Sequence, residues 1–83
     1  MTSERFMEKM ELKRKENEAY VQYRIALFTK SQYEKDHEDL HTDEEYKALR
    51  KKAAEAYLKY QEVRREIAQF DENSARIDYL ETI

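Results

Sequence analysis

The chain has 83 residues and contains neither glycine nor proline. Glycine supplies the positive φ of many tight turns and proline fixes the φ of others, so a chain without either has few ways to reverse direction sharply. Ala, Glu, Lys, Leu and Arg together make up about half of the residues, a share typical of long helices and coiled coils. The sequence therefore predicts a single domain of the all-α class.

A continuous apolar pattern runs from Tyr46 to Phe70. In alternating steps of three and four residues, every position is apolar or aromatic, as on a helix face that packs against another helix. Thr42, with Glu45 three residues later, matches a capping box at the start of such a helix. The pattern predicts a helix over about residues 43–70, with a seam formed by Tyr46, Leu49, Ala53, Ala56, Tyr60, Val63, Ile67 and Phe70.

A second helix is predicted over about residues 3–36, although its apolar stripe is interrupted. The stripe consists of Phe6, Met7, Met10, Tyr20, Val21, Leu27 and Phe28, and it is broken by Lys13, Arg14, Asn17 and Arg24. One interpretation is that the long basic side chains lie along the helix contact with their charges in water. The other is that Asn17 sets the register from inside the contact, as a buried Asn does in coiled coils. Both interpretations place this stripe between the helices.

Residues 37–42 are polar and acidic, and they are the best candidate for a turn. A single uninterrupted helix is the alternative, and it would be about 120 Å long at 1.5 Å per residue. We prefer a long, coiled-coil-like antiparallel hairpin. A turn near residue 40 predicts that facing positions have numbers that sum to about 81, so that Phe28 faces Ala53, Tyr20 faces Tyr60 and Met10 faces Phe70.

Asp71-Glu72-Asn73-Ser74 resembles a new helix start, and Ile77, Leu80 and Ile83 follow at helical spacing. The last residues, about 74–83, are therefore expected to form a short third helix or a kinked extension of the second.

A two-helix hairpin buries a single seam, and small chains rarely become stable on that alone. Apolar side chains also lie off the predicted seams, on a second face of each helix: Leu12, Ala19, Tyr23, Ala26 and Tyr33 on the first, and Ala54, Tyr57 and Leu58 on the second. We therefore expect either a homodimer that forms a four-helix bundle or a different protein that covers these faces. Tyrosine suits interfaces because its ring is large and its hydroxyl tolerates water, so the predicted partner-binding residues are Tyr23, Tyr33, Tyr57 and Leu58.

His37-Glu38-Asp39-Leu40-His41 matches the pattern H-E-x-x-H and resembles the zinc-binding helix of zinc peptidases. The resemblance would make His37 and His41 zinc ligands and Glu38 the base that activates a water molecule. Here the neighbouring residues are acidic, the chain has no third histidine, and a hairpin has no second lobe to hold a peptide. We therefore expect a solvated turn that binds metal adventitiously at most, with no cofactor and no enzymatic activity. A metal-dependent hydrolase is a remote alternative.

The distribution of charged and apolar residues limits the partners that the chain is expected to bind. The net charge is −3, cysteine is absent, and no apolar run is long enough to span a bilayer, so we expect a soluble cytoplasmic protein without a membrane partner. Lys47, Lys51 and Arg65 fit one exposed stripe, which makes nucleic-acid binding by a dimer the alternative function. The main prediction is a non-enzymatic protein–protein interaction module, such as a helical-hairpin adaptor, an inhibitor or a small chaperone-like subunit.

Overall fold

The computed structural model describes residues 3–82, and Met1, Thr2 and Ile83 lie outside this range. Helix α1 spans Ser3–Asp36 and helix α2 spans Glu44–Thr82. The two helices pack side by side as an antiparallel hairpin that measures 64 × 18 × 15 Å. The predicted all-helical hairpin is confirmed, and the single uninterrupted helix is excluded.

Helix α2 is longer than the sequence predicted. It continues without a break from Phe70 to Thr82, so the described residues contain no separate third helix. The reason is that the seam spacing carries on. Ser74 lies four residues after Phe70 and is buried, which keeps the same face of α2 against α1. Asp71 accepts a hydrogen bond from Lys9 of α1 at 2.5 Å, which is a further contact between this segment and the other helix.

The seam of α2 is the one predicted. All eight of its positions are buried or half-buried, whereas most of their neighbours on α2 are exposed. Ala53, Val63 and Ile67 are the most enclosed, with 6–8% of their surface accessible. The apolar pattern thus identified the face of α2 that packs on α1.

The predicted contact face of α1 is wrong for most of its residues. Met10 and Phe28 of the predicted stripe are 57% and 65% exposed, whereas Ala19 and Ala26 are buried at 5% and 7%. At 3.6 residues per turn, most of the stripe lies on nearly the opposite side of α1 from the two alanines, while Tyr20 and the half-buried Leu27 lie at the edge of the contact. The face that packs on α2 follows its own steps of three and four, and its buried or half-buried residues are Leu12, Glu16, Ala19, Tyr23, Ala26, Lys30 and Tyr33.

Size explains why α1 uses this face. Helices in contact lie about 8–10 Å apart, depending on the side chains between them. Alanines on α1 leave room for the larger residues of α2: Ala19 packs with Val63 and Ile67 in the central cluster, and Leu12 and Tyr60 pack against its edge. Burying an aliphatic side chain as large as Val or Ile contributes about 1.5–3 kcal/mol relative to leaving it exposed.

The predicted register is close to the observed one. The Tyr20 and Tyr60 rings lie 5.5 Å apart, and the Tyr46 hydroxyl donates to Glu34 at 2.6 Å. The residue numbers in each pair sum to 80, against the predicted value of about 81. The expected packing of Phe28 on Ala53 and of Met10 on Phe70 is wrong because both α1 residues lie on the far side of their helix.

Candidate interaction surfaces

The side of α1 that faces away from α2 carries a set of large apolar residues. We call this set the outer stripe, and each member is at least half exposed, between 50% and 69%: Phe6, Met7, Met10, Val21, Ile25 and Phe28. Soluble monomers rarely leave so many large apolar groups along one face, and such patches commonly mark contact sites. Charged residues interrupt both helices, and neither has a stretch within residues 3–82 that is long and apolar enough to cross a membrane. The outer stripe is the strongest candidate interaction surface.

The middle of the outer stripe is polar. Arg14 forms ion pairs with Glu11 and with Glu18, one turn away on either side, and its hydrogen bond lowers the pKa of Glu11. Asn17 is exposed in this middle section, so it does not set the register of the hairpin. The basic residues that were expected along the hairpin contact are also outside it. Both sequence interpretations assumed that this face packs on α2, and both are wrong.

Four tyrosines form a cluster across the hairpin. The ring of Tyr23 lies 5.2 Å from Tyr57 and 6.3 Å from Tyr60, and Tyr20 packs on Tyr60. Arg64 lies over the Tyr60 ring, 5.6 Å from its centre. Pairs of this kind are worth about 0.5–1.5 kcal/mol beyond the area they bury. Much of the tyrosine surface is therefore used inside the hairpin.

The four predicted partner-binding residues do not form one surface. Tyr23 and Tyr57 touch each other, and Tyr57 remains 43% exposed at the edge of the cluster. Tyr33 lies half-buried near the turn, where its ring stacks on Tyr46 at 6.1 Å. Leu58 is 61% exposed, and its spacing from the seam places it on the far side of α2. The structure thus brings together two of the four. All residues of the outer stripe except Ile25 belonged to the apolar stripe predicted from the sequence, but that stripe was predicted to pack on α2.

Exposed basic residues share the far face of α2 with Leu58. Lys47, Lys51 and Arg65 are all exposed and stand at helical spacing. Lys47 pairs with Glu44 at 3.4 Å. The far faces of the two helices therefore differ: that of α1 is apolar at both ends, and that of α2 mixes basic residues with isolated apolar ones such as Leu58.

The turn is held by a carboxylate at the start of α2. One oxygen of Asp43 accepts the Tyr46 backbone N–H at 3.1 Å, and the other accepts the Tyr33 hydroxyl at 2.5 Å. Asp43 is therefore the N-cap, one residue later than the predicted Thr42, because α2 begins at Glu44. The hydrogen bond from Tyr33 lowers the pKa of Asp43 and raises the pKa of Tyr33 to about 12. A second bond acts in the same way, since the Tyr46 hydroxyl lowers the pKa of Glu34.

The H-E-x-x-H stretch lies in the connection between the helices. Residues 37–43 are not helical, so His37 and His41 lack the one-turn spacing of the zinc-peptidase helix. The His37 ring stacks on Tyr33 at 3.8 Å, and its Nδ1 lies 2.9 Å from the Tyr33 carbonyl oxygen. Within residues 3–82, no group of three or more His, Asp or Glu side chains is placed to hold a metal ion.

A shallow groove of about 950 Å³ follows one side of the hairpin. Ala19, Ala56 and Val63 lie at its base, and lysine, arginine and glutamate side chains from both helices line its rims. Because charges of both signs mix along the rims, the groove favours neither an anionic nor a cationic ligand.

No protein family matches this chain, and no curated protein or solved structure shows significant similarity to it. We therefore infer function from the surfaces of the hairpin alone.

Proposed function

We propose that this protein is a non-enzymatic protein–protein interaction module, of the adaptor, inhibitor or small chaperone-like kind, that binds through the outer stripe of α1. The observation that carries the proposal is the exposure of the stripe: its six large apolar residues are each 50–69% accessible while the hairpin contact is made by another face. An apolar stripe on a long, straight element suits a partner that presents a helix of its own.

The exposed edge of Tyr57 and the side chain of Leu58 are secondary contact candidates. Both lie outside the buried part of the hairpin, at 43% and 61% accessible. Tyr23 and Tyr33 act instead through the hairpin, since their rings contact Tyr57 and Tyr46.

The first partner in this proposal is a second copy of the chain. Because the outer stripe lies on the side of α1 opposite α2, the four helices of this dimer lie side by side in one layer, which differs from the four-helix bundle expected from the sequence. Two hairpins that meet through α1 cover both outer stripes at once, and closed twofold dimers are the commonest assemblies of identical chains. Each copy would then bury apolar surface that the hairpin alone leaves in water.

Size-exclusion chromatography coupled to light scattering tests the proposal. The chain has a mass of 10.2 kDa, so a dimer has about twice that mass. We expect a dimer that dissociates on dilution, and we expect Val21→Lys combined with Phe28→Lys to give the monomer with unchanged helix content by circular dichroism. Leu58→Lys is the control for an added lysine at an exposed apolar residue, because Leu58 is 61% exposed and lies on the other helix. Phe28→Lys alone, at a residue that is 65% exposed, is the single substitution compared with it.

The results separate the outcomes. A wild-type monomer excludes the second copy as the partner. In that case, if the wild type binds a different protein and the Val21→Lys and Phe28→Lys variant does not, the outer stripe is still the binding surface of an interaction module. A dimer that survives this double substitution would contradict the outer stripe as the binding surface.

A further inference from the structure

The outer stripe is roughly symmetric along α1, with an apolar part at each end and a polar part in the middle. Phe6, Met7 and Met10 form its N-terminal part, and Val21, Ile25 and Phe28 form its C-terminal part. The polar middle lies between them, with Asn17 close to the midpoint. Because the two apolar parts lie at similar distances from Asn17, a copy of α1 that runs the opposite way can cover each part with the other.

We propose that the second copy binds antiparallel, α1 against α1, with the twofold axis near Asn17. This inference rests on the proposed homodimer, and it adds the relative direction of the two α1 helices and the register in which they pair. Facing positions then have numbers that sum to about 33, to within one helical turn. Met7 of one copy faces Ile25 of the other, Phe6 faces Phe28, and the two Asn17 side chains meet near the axis.

The charges in the polar middle favour the antiparallel direction. A parallel pair in register places Arg14 against Arg14 and Glu18 against Glu18, and like charges at that distance repel. The antiparallel pair places Arg14 of each copy within one turn of Glu18 of the second copy, and the twofold axis makes this contact twice. Glu18 already pairs with Arg14 in its own helix, so the acid is held near the place where the second arginine arrives.

The charges also distinguish α1 from α2 as the dimer face. The far side of α2 carries Lys47, Lys51 and Arg65, and in a parallel contact in register each of these would lie against the same basic residue of the second copy. The outer stripe has large apolar groups at both ends and charges of both signs in its middle. Of the two far faces, that of α1 is therefore the self-complementary one.

Disulfide cross-linking measures the direction, since the natural chain has no cysteine. Full-length variants with one cysteine each are oxidised mildly, and the dimer is quantified on non-reducing gels: Asn17→Cys, Phe28→Cys, Met7→Cys and Ile25→Cys. A disulfide requires Cβ atoms about 3.5–4.5 Å apart. In the antiparallel dimer, Asn17→Cys links to itself, and Met7→Cys links to Ile25→Cys when the two are mixed.

Phe28→Cys does not link to itself in this arrangement, because the two copies of position 28 lie roughly 30 Å apart along the helix axis. Leu58→Cys is the control for random collision, since Leu58 is about as exposed as Phe28. We expect Asn17→Cys and the mixed pair to link at least about tenfold faster than this control, because the second thiol is held at a high effective concentration.

Each other result overturns the inference in a defined way. Rapid self-linking of Phe28→Cys would show a parallel dimer. If the wild type is a dimer by light scattering but the Asn17→Cys and mixed-pair links are no faster than the Leu58→Cys control, the antiparallel register is wrong. The Val21→Lys and Phe28→Lys variant then decides whether the outer stripe forms the dimer in another register or another face forms it. A monomeric wild type would remove both the homodimer and its direction.

Discussion

The two helices use their apolar residues in opposite ways. Helix α2 directs Val63 and Ile67 into the hairpin and leaves a far side of basic and isolated apolar residues, whereas α1 directs Ala19 and Ala26 into the hairpin and leaves Phe28 with the rest of the outer stripe in water. In the central cluster the two arrangements are complementary, because Val63 and Ile67 fit against the small Ala19. The difference teaches that the largest apolar residues of a helix need not mark its contact within the chain.

The largest expected effect comes from adjacent residues on the two faces of α1. Ala26→Glu puts a charge where only 7% of the residue is accessible, so we expect a loss of about 3 kcal/mol or more in the free energy of unfolding. Ile25→Glu puts the same charge at a residue that is 53% exposed, and we expect a change within about 0.5 kcal/mol. Urea unfolding, followed by circular dichroism at a concentration where the chain is monomeric, measures both. Equal losses in the two variants would break the comparison.

An isoleucine on each helix gives the next test. Ile67 is 7% exposed on α2 and Ile25 is 53% exposed on α1. Ile67→Ala leaves a cavity in the central cluster and should cost about 2–4 kcal/mol of unfolding free energy. Ile25→Ala should cost less than about 0.5 kcal/mol in the monomer. If Ile25→Ala proved the more damaging, the assignment of the two faces of α1 would have to be reversed.

The turn, where both helices contribute one partner, gives a prediction in pH. The raised pKa of Tyr33 means that its bond to Asp43 is fully present below pH 10 and is lost as the pH rises through about 12. The lowered pKa of Asp43 means that the same bond is present above the ordinary value of 3.8 and is lost as the pH falls through the folded value. Tyrosinate absorbance during alkaline titration should show a late step near pH 12.

Tyr33→Phe should reduce this late step, whereas Tyr20→Phe, far from the turn, should keep it in full. The hydrogen bond to Glu34 also raises the pKa of Tyr46, so Tyr46 keeps a late contribution in both variants. A titration in which Tyr33→Phe changes nothing would contradict the bond to Asp43.

The smallest effect is expected where ion pairs join the open ends of the helices. Asp71→Asn removes the ion pair with Lys9. The Asp71 side chain is 48% exposed and the Lys9 side chain is 34% exposed. Exposed pairs of this kind contribute about 0–1 kcal/mol, so the unfolding free energy should fall by less than that. High salt should abolish the difference from wild type. A loss above about 2 kcal/mol would show that the end of α2 depends on charge rather than on the seam.

Much of this fold follows from the sequence, and the failures have a common cause. The α2 seam and the register were predictable because one apolar face of α2 is continuous and the polar turn fixes which residues meet. Helix α1 has two faces at the seam spacing, one rich in alanine and tyrosine and one rich in phenylalanine, methionine and aliphatic residues. Periodicity alone cannot rank them. The choice depends on how closely α2 approaches, which is a property of the pair.

The exchange of the two α1 faces also affected the candidate site. The sequence predicted that Tyr23 and Tyr33 lie off the hairpin contact and that Phe28 lies in it, whereas both tyrosine rings pack in the hairpin and Phe28 is exposed. The start of α2 was also displaced, since Thr42 and Asp43 are both good capping residues and the side-chain bond from Tyr33 favours Asp43.

An antiparallel hairpin places both open helix ends at one tip of a rod 64 Å long. If the two ends are pulled apart, the load falls first on contacts near the open tip, such as the ion pair between Arg5 and Asp78, and reaches the next layer only after those have opened. The helices therefore separate in succession, from the tip towards the turn, and at any moment the resistance comes from about one layer of side chains. The same pair pulled lengthwise from opposite tips would load every layer together, so we expect this protein to be mechanically weak in one direction and strong in the other.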